Sequence, residues 1–411
     1  MSGSLPTRRA LVLIHTPTFG GPHNTLVRLR EPLERRGWEN VLVTTNEAGD
    51  GAERVRAAGV ETLQVPLRRL RKSFDPRVHW GFVSEFVPSV DCIRALIRRH
   101  GASVVQVCGL MHPHGALAAR LEQTPVVWQL LSTFAPPVLR RVLMPVVVKL
   151  ADVVMSTGRD TAREHPGACA MGERLVPFFP PVDTDQFRPD PVARLLARAE
   201  LRVPPGALLI GTVGNMVWQK GHELLVDAVA ELRGRHHPVY GRVLGSHVAS
   251  QDRYYRENVI GRARKRGLLR SEVLTFSSPG DRVSALLPAF DVFLLTSRAE
   301  GAPTVVLEAM ACAVPVVATD VGSMREIVED GRTGFVVRRG RVEPLVSAIE
   351  KLLRSPATRD AMGTVARRRA VERYGLGACA DAHVRAFELA ASVRRIAGTE
   401  PATDIGAAES C

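Results

Sequence analysis

The sequence predicts an α/β protein built from two successive parallel-sheet domains, and three observations predict it. Short runs rich in Val, Ile and Leu alternate with amphipathic stretches along the chain, as parallel strands with crossover helices do. A proline-rich joint, Pro177–Phe178–Phe179–Pro180–Pro181, divides that alternation into two similar series. A length of 411 residues exceeds what one ordinary core serves, so two domains are the default. Together these describe two Rossmann-like domains facing each other across a cleft.

In the first series the predicted strands are Ala10–Ile14, Asn40–Thr44, Thr62–Val65, Val104–Val107, Pro125–Leu130 and Val153–Ser156. Each is a short apolar run, the signature of a strand buried on both faces. Helical periodicity fits Asn24–Arg36, Ser89–His100 and Gly115–Leu121. Beyond the joint, Val182–Pro189 reads as a rigid connector. The second series then offers Leu208–Val213, Val239–Leu244, Val273–Phe276, Val292–Leu295, Pro315–Ala318 and Gly334–Val337. The domains are expected at 1–185 and 186–378. A helix over 379–397 returns toward the first, and 398–411 form a loose tail.

The formal charge of +13 favours anionic partners such as phosphorylated substrates, acidic lipid or nucleic acid. Arginine carries most of it, since Lys72, Lys149, Lys220, Lys265 and Lys351 are the only lysines. The basic clusters lack interleaved aromatics and no nucleic-acid motif is present, which counts against nucleic acid. Cys92, Cys108, Cys169, Cys312, Cys379 and Cys411 form no C-x-x-C and read as reduced thiols. Cys108 with His112 and His114 lacks the fourth ligand and the spacing of a zinc site. No apolar stretch reaches the length of a spanning helix and no secretory leader is evident, which predicts a cytoplasmic protein, or one peripheral at the inner membrane face. Leu67–Arg68–Arg69–Leu70–Arg71–Lys72–Ser73–Phe74 mixes basic and apolar groups as an anionic membrane contact would, although a solvated basic loop reads equally well.

The chemistry concentrates at two glutamates eight residues apart, Glu300 and Glu308. The run Val292–Leu295 is a buried strand, Gly301 marks a turn, and Pro303 suits the first position of a helix. Glu300 therefore falls on the loop at the strand's carboxyl end and Glu308 within the helix. Ligands of open α/β sheets bind at that edge. Two carboxylates flanking a helix start could accept sugar hydroxyls on either side of a phosphate. One such spacing alone describes a loop acid and a solvated helix acid. A second loop, Gly214–Asn215–Met216–Val217–Trp218–Gln219–Lys220–Gly221, places an ammonium beside glycines at another helix start. A third, Val321–Gly322–Ser323–Met324, offers free amides for diphosphate oxygens. In the first half, Phe19–Gly20–Gly21–Pro22 could approach the same phosphate.

With these residues assembled, the chain resembles retaining GT-B glycosyltransferases of family 4 (glycosyl transferases group 1), over nearly its whole length. The matching runs are Gly214 through Lys220–Gly221, Glu300–Gly301–Ala302–Pro303 through Glu308–Ala309–Met310–Ala311, Pro315–Gly322, Asp330–Phe335 and the connector Pro181–Pro189. The resemblance implies a retaining hexosyltransferase with a nucleoside-diphosphate-sugar donor and a glycan, lipid-linked or small-molecule acceptor, in cell-envelope or polysaccharide biosynthesis. It implies catalytic roles for Lys220 and Glu300. It implies a donor site of Gly20, Gly21, Gly214, Asn215, Lys220, Glu300, Gly301, Ala302, Pro303, Thr304 and Glu308. Glu300 would hold sugar hydroxyls, Glu308 ribose hydroxyls and Lys220 the diphosphate, with neither metal nor cofactor required.

Three departures stand out. Asn215 occupies a position where the family often has Arg. Leu131 follows a strand that commonly ends in a His near the reacting sugar, and Val104–Cys108 lacks the histidines often seen there. His112 or His114 could replace them, or be ordinary loop histidines. Competing readings are a sugar-nucleotide 2-epimerase of related fold, a catalytically silent nucleotide-sugar binder and a nucleic-acid-binding protein.

Overall fold

A computed structural model describes residues 7–67, 76–270 and 272–399. Among these, thirteen strands form two parallel sheets of seven and six. The first contains β1 (Arg8–Ile14), β2 (Trp38–Thr45), β3 (Thr62–Val65), β4 (Val104–Cys108), β5 (Val126–Leu130), β6 (Val153–Thr157) and β7 (Leu175–Phe178), in spatial order 3-2-1-4-5-6-7. The second contains β8 (Leu208–Val213), β9 (Val239–Leu244), β10 (Leu274–Ser277), β11 (Val292–Leu295), β12 (Val316–Thr319) and β13 (Gly334–Val337), in order 10-9-8-11-12-13. Both sheets wind outward from their first strand and then reverse. The reversals lie between β1 and β4 and between β8 and β11, where such sheets receive ligands.

Helices cover both faces. In the first lobe they are α1 (Gly21–Glu34), α2 (Gly51–Ala57), α3 (Pro76–His100), α4 (His114–Leu121), α5 (Pro137–Leu150) and α6 (Arg159–Arg163). After α7 (Pro191–Glu200), the second lobe carries α8 (His222–Gly234), α9 (Asp252–Tyr255), α10 (Gly261–Lys265), α11 (Val283–Leu286), α12 (Thr304–Ala311), α13 (Met324–Ile327), α14 (Val342–Leu353) and α15 (Pro356–Tyr374). The central strands β4, β5, β6, β11 and β12 are buried at every residue, which explains their mostly apolar composition.

The last helix, α16 (Leu376–Thr399), packs back on the first sheet. Phe387 meets Trp38 at 4.8 Å between ring centroids, and His383 Nε2 lies 3.0 Å from Gln129 Nε2. The connector is tied to the end of α15, just before this helix, with Val182 N–H donating to Tyr374 O at 2.8 Å.

The expected pair of Rossmann-like sheets is present, with local differences. Pro177 and Phe178, read as the start of the joint, instead end strand β7 (Leu175–Phe178) at the edge of its sheet, where Pro177 can sit without a missing ladder bond mattering. Helix α3 starts at Pro76, thirteen residues before the predicted start at Ser89. Pro303 is the N-cap of α12, and Thr304 takes the first helical position. Most of the basic–apolar segment, including Arg68, Arg69, Arg71 and Lys72, lies outside the described residues, as does the tail from residue 400 onward.

Candidate functional site

The carboxyl ends of the two sheets meet along one seam. At the β8/β11 reversal, the loop after β8 presents Lys220 and the loop after β11 presents Glu300. Lys220 Nζ lies 2.7 Å from Glu300 Oε1, with both side chains largely shielded. Ser297 Oγ donates to the same Oε1 at 2.7 Å. Oε2 is left without a partner among the described residues, so it can still accept a hydroxyl. Gly214 borders the ammonium, where a Cβ would come within 3.2 Å of Lys220 Cε. Gly221 adopts φ +61° between the Lys220 turn and α8, and a Cβ there would overlap the Thr296 carbonyl oxygen. Asn215 is exposed on the same loop.

Glu308, on the second turn of α12, points into a different environment. Its side chain is 6% exposed, and Oε1 accepts from Arg28 Nη2 of α1 at 2.7 Å. Burial pushes this carboxyl above the usual range, and Arg28 opposes the shift. Its Oε2 also has no partner among the described residues. Each of the two glutamates is thus held through one oxygen by a cation, Lys220 in one case and Arg28 in the other.

Of the other expected site residues, Gly301, Ala302 and Pro303 are buried and Thr304 is half-buried at the start of α12. Gly301 has a second duty. Its backbone bridges antiparallel to Ser132 after β5, and a Cβ would overlap the Leu131 carbonyl oxygen. Glu300 O accepts from both Thr133 N–H at 3.2 Å and Thr133 Oγ1 at 3.0 Å. Gly20 and Gly21 start α1 with no protein atom closer than 4.0 Å to a would-be Cβ, so the chain itself does not demand glycine there. That space is open to a ligand.

Two of the amides expected at Val321–Met324, those of Ser323 and Met324, are otherwise engaged. Helix α13 is a single turn, Ser323 N–H donates to Gly301 O at 2.9 Å, and Ser323 Oγ donates to Thr157 O. Glu326 receives the Arg159 and Asp160 amides at 2.9 and 2.6 Å. This segment is a contact between the lobes.

At the β1/β4 reversal the groups are imidazoles. His15 and His112 lie 4.3 Å apart between ring centroids, and His112 Nε2 donates to Cys108 O at 2.7 Å. Burial depresses His23, His112 and His114 to about 4, so all three are neutral. His114 packs on Phe82 and Phe86, and His23 stacks on Phe19. Among the described residues no group of three or more His, Cys, Asp or Glu is arranged to hold a metal. Leu131 packs on the apolar cluster beneath the seam and offers its carbonyl, not its side chain, to the neighbouring loops.

Sequence reading missed Arg28 as a site residue, along with Ser297 and Thr133. Ser297 precedes Glu300 by three residues and was findable as a loop hydroxyl. Arg28 is 280 positions from its partner, and no local spacing signals such a pair.

Comparison with known proteins points the same way. Residues 194–369 match the family "Glycosyl transferases group 1", and residues 20–177 match "Glycosyl transferase 4-like domain". The chain is 32% identical to the GDP-mannose-dependent alpha-(1-6)-phosphatidylinositol monomannoside mannosyltransferase of Mycolicibacterium smegmatis, over 54% of this chain and 59% of that enzyme. It is 30% identical to the alpha-D-kanosaminyltransferase of Streptomyces kanamyceticus, over 70% of this chain and 77% of the relative. Among solved structures, Anabaena Alr3699/HepE in complex with UDP superposes with a TM-score of 0.77 at 18% identity, covering 93% of this chain and 99% of that one. That likeness establishes the two-lobed GT-B architecture.

Proposed function

The chain belongs to the glycosyl transferases group 1 family, and from that premise we propose that it moves a hexosyl group from a nucleoside-diphosphate-sugar to an acceptor hydroxyl, with retention of anomeric configuration. The observation that carries the reading is the Lys220–Glu300 pair at the β8/β11 reversal. An ammonium beside a glycine loop stabilises the negative charge that develops as the nucleoside diphosphate departs. Oε1 of Glu300 anchors that ammonium, and Oε2 is available to a sugar hydroxyl. Lys220 and Glu300 are the catalytic pair. Gly20, Gly21, Gly214, Asn215, Gly301, Ala302, Pro303, Thr304 and Glu308 complete the donor site.

In this reading residues 186–378 form the donor domain and residues 1–185 the acceptor domain, with 379–397 bracing the latter. Calorimetric titration with UDP, GDP and their hexose conjugates tests the assignment. Lys220→Ala should lose most nucleoside diphosphate affinity, and unchanged affinity in both Lys220→Ala and Glu300→Ala would remove it.

The acceptor is a glycan or lipid-linked hydroxyl compound, and an anionic membrane surface is part of the proposal. A phosphatidylinositol-linked acceptor is named for the mycobacterial relative. On α5, Val138, Val142 and Val146 are 74%, 65% and 42% exposed at helical spacing, with Arg141 and Lys149 exposed between and beyond them. Phe134, 56% exposed, precedes this stripe and follows Thr133 of the seam. An apolar stripe edged by cations suits an acidic bilayer interface. No helix among the described residues is long and apolar enough to cross a membrane. Co-sedimentation with phosphatidylglycerol and phosphatidylcholine vesicles at low salt checks this contact. The anionic vesicles should retain the protein, and Val138→Asp/Val142→Asp should release it. Equal partition between the two lipids would rule the contact out.

A further inference from the structure

Arg28 belongs to the first lobe, yet its guanidinium is committed to the second. Nη2 meets Glu308 Oε1 at 2.7 Å and Nη1 donates to Pro181 O of the connector at 3.0 Å. The guanidinium carbon also lies 5.3 Å from the Phe187 ring centroid. Its side chain is 14% exposed. Three anchors on one shielded guanidinium leave it little rotational freedom, and the fork geometry suits a fixed orientation of the carboxylate.

We propose that Arg28 is a positioning residue for the donor: by fixing Oε1 of Glu308 it presents Oε2 to the ribose hydroxyls of a nucleoside diphosphate. The nucleotide site of the second lobe is then completed by a residue of the first. This rests on the reading of Glu308 as a nucleotide-binding residue.

The charged and titratable groups around Glu308 are few. Arg28 approaches from α1. The Cys312 thiol, at the C-cap of the same helix, is pushed up to about 12 by burial and by Glu308. The Arg367 guanidinium of α15 is spent on the carbonyls of Thr184, Phe187 and Ala311. Arg28 is therefore the cation that offsets the burial of Glu308. Without it the carboxyl would hold its proton to higher pH, and a neutral acid offers one acceptor fewer to a diol.

The test is calorimetry with UDP and GDP on the full chain, at pH 6.5 and 8.5, for wild type, Arg28→Met, Arg28→Lys and Glu308→Gln. Arg28→Met should lose about tenfold in affinity at pH 8.5. It should lose more at pH 6.5 than at pH 8.5, because the buried carboxyl without its cation holds its proton more tightly. Arg28→Lys should recover most of the loss and flatten the pH response. Glu308→Gln should bind weakly, with only the pH response that the ligand's own phosphate imposes on every variant. The double variant Arg28→Met/Glu308→Gln should be no weaker than Glu308→Gln, because Arg28 acts through the carboxylate. Arg28→Met binding as tightly as wild type at both pH values, or more tightly, would overturn the inference while leaving the donor site standing. Full affinity in Glu308→Gln would instead defeat the reading of Glu308. If Arg28→Met does not fold, Arg28→Gln takes its place in the cycle with Glu308→Gln: additive losses in the pair overturn the proposal, and non-additive losses support it.

Discussion

The two reversal points occupy equivalent places in two similar sheets but carry opposite chemistry. Between β8 and β11 stand an ammonium and a carboxylate 2.7 Å apart. Between β1 and β4 stand two imidazoles, one of them held neutral by burial. The charged edge suits a substrate whose own charge must be neutralised, and the donor proposed here is such a molecule. A neutral imidazole such as His112 can donate to or accept from a hydroxyl without imposing a charge. One architecture thus presents its paired edges to two different kinds of chemistry, and loop residues rather than the fold decide which.

The most severe break in this comparison should come from Lys220→Ala. If the charged edge carries the chemistry, turnover falls by about 100-fold or more. Rate assays at saturating acceptor, set beside nucleoside diphosphate titrations, check it. A drop confined to acceptor KM would contradict the division between edges.

Gly301→Ala ranks next. Its Cβ would enter the Leu131 carbonyl, so the seam must part or the loop carrying Glu300 must shift. The expected cost is ~1–3 kcal/mol of stability, typical of overpacking. Thermal melts should record it, together with slower turnover and weaker nucleotide binding.

Acid should separate the two lobes. Burial holds His23, His112, His114 and His383, all packed in the first lobe, at about 4. An unfolded histidine titrates near 6.5. Between these values the unfolded chain binds more protons, so the stability these groups contribute is complete above pH 6.5 and drains away as pH falls toward 4. In the second lobe His222, at about 3, has the same sign. Hydrogen exchange at pH 7.5 and 5.0 should therefore show β1, β4 and β5 losing protection before β8 and β11. Uniform loss would erase the contrast.

The smallest effect is expected from Leu131→Ala. The side chain is half-buried on an apolar cluster, so ~1–2 kcal/mol of packing should go. Nucleoside diphosphate affinity should stay at the wild-type value, because the side chain only packs beneath the seam. A large loss of affinity would place Leu131 in the donor site.

Much of this was legible in advance where the physics is local. Buried parallel strands announce themselves as unbroken apolar runs, and Leu208–Val213, Val239–Leu244, Val292–Leu295 and Gly334–Val337 end where they were expected to. Strand β7 was hidden by Pro177, which argues against a strand anywhere but at an edge, and sheet position is not written locally. Lys220 and Glu300 could be expected together because each sits on a loop at the carboxyl end of its strand. The seam was not foreseeable. The Val321–Met324 turn looks like a phosphate cradle in sequence, yet Ser323 spends its amide on Gly301 of its own lobe and its hydroxyl on Thr157 of the other, where the lobes close on each other. Arg28 shows the same limit. A helix arginine seven residues past Gly21 looks solvated until the other lobe supplies its partner.

The bond from Thr133 to the carbonyl of Glu300 has a mechanical consequence. The peptide that bears the Glu300 carboxylate is stitched to the opposite lobe by its own backbone, through Thr133 and the Ser132–Gly301 bridge. A hinge motion that widens the entrance must either unzip those links or drag Glu300 with it. On the proposed reading of Glu300, the hold on the donor sugar and the separation of the lobes would then change together.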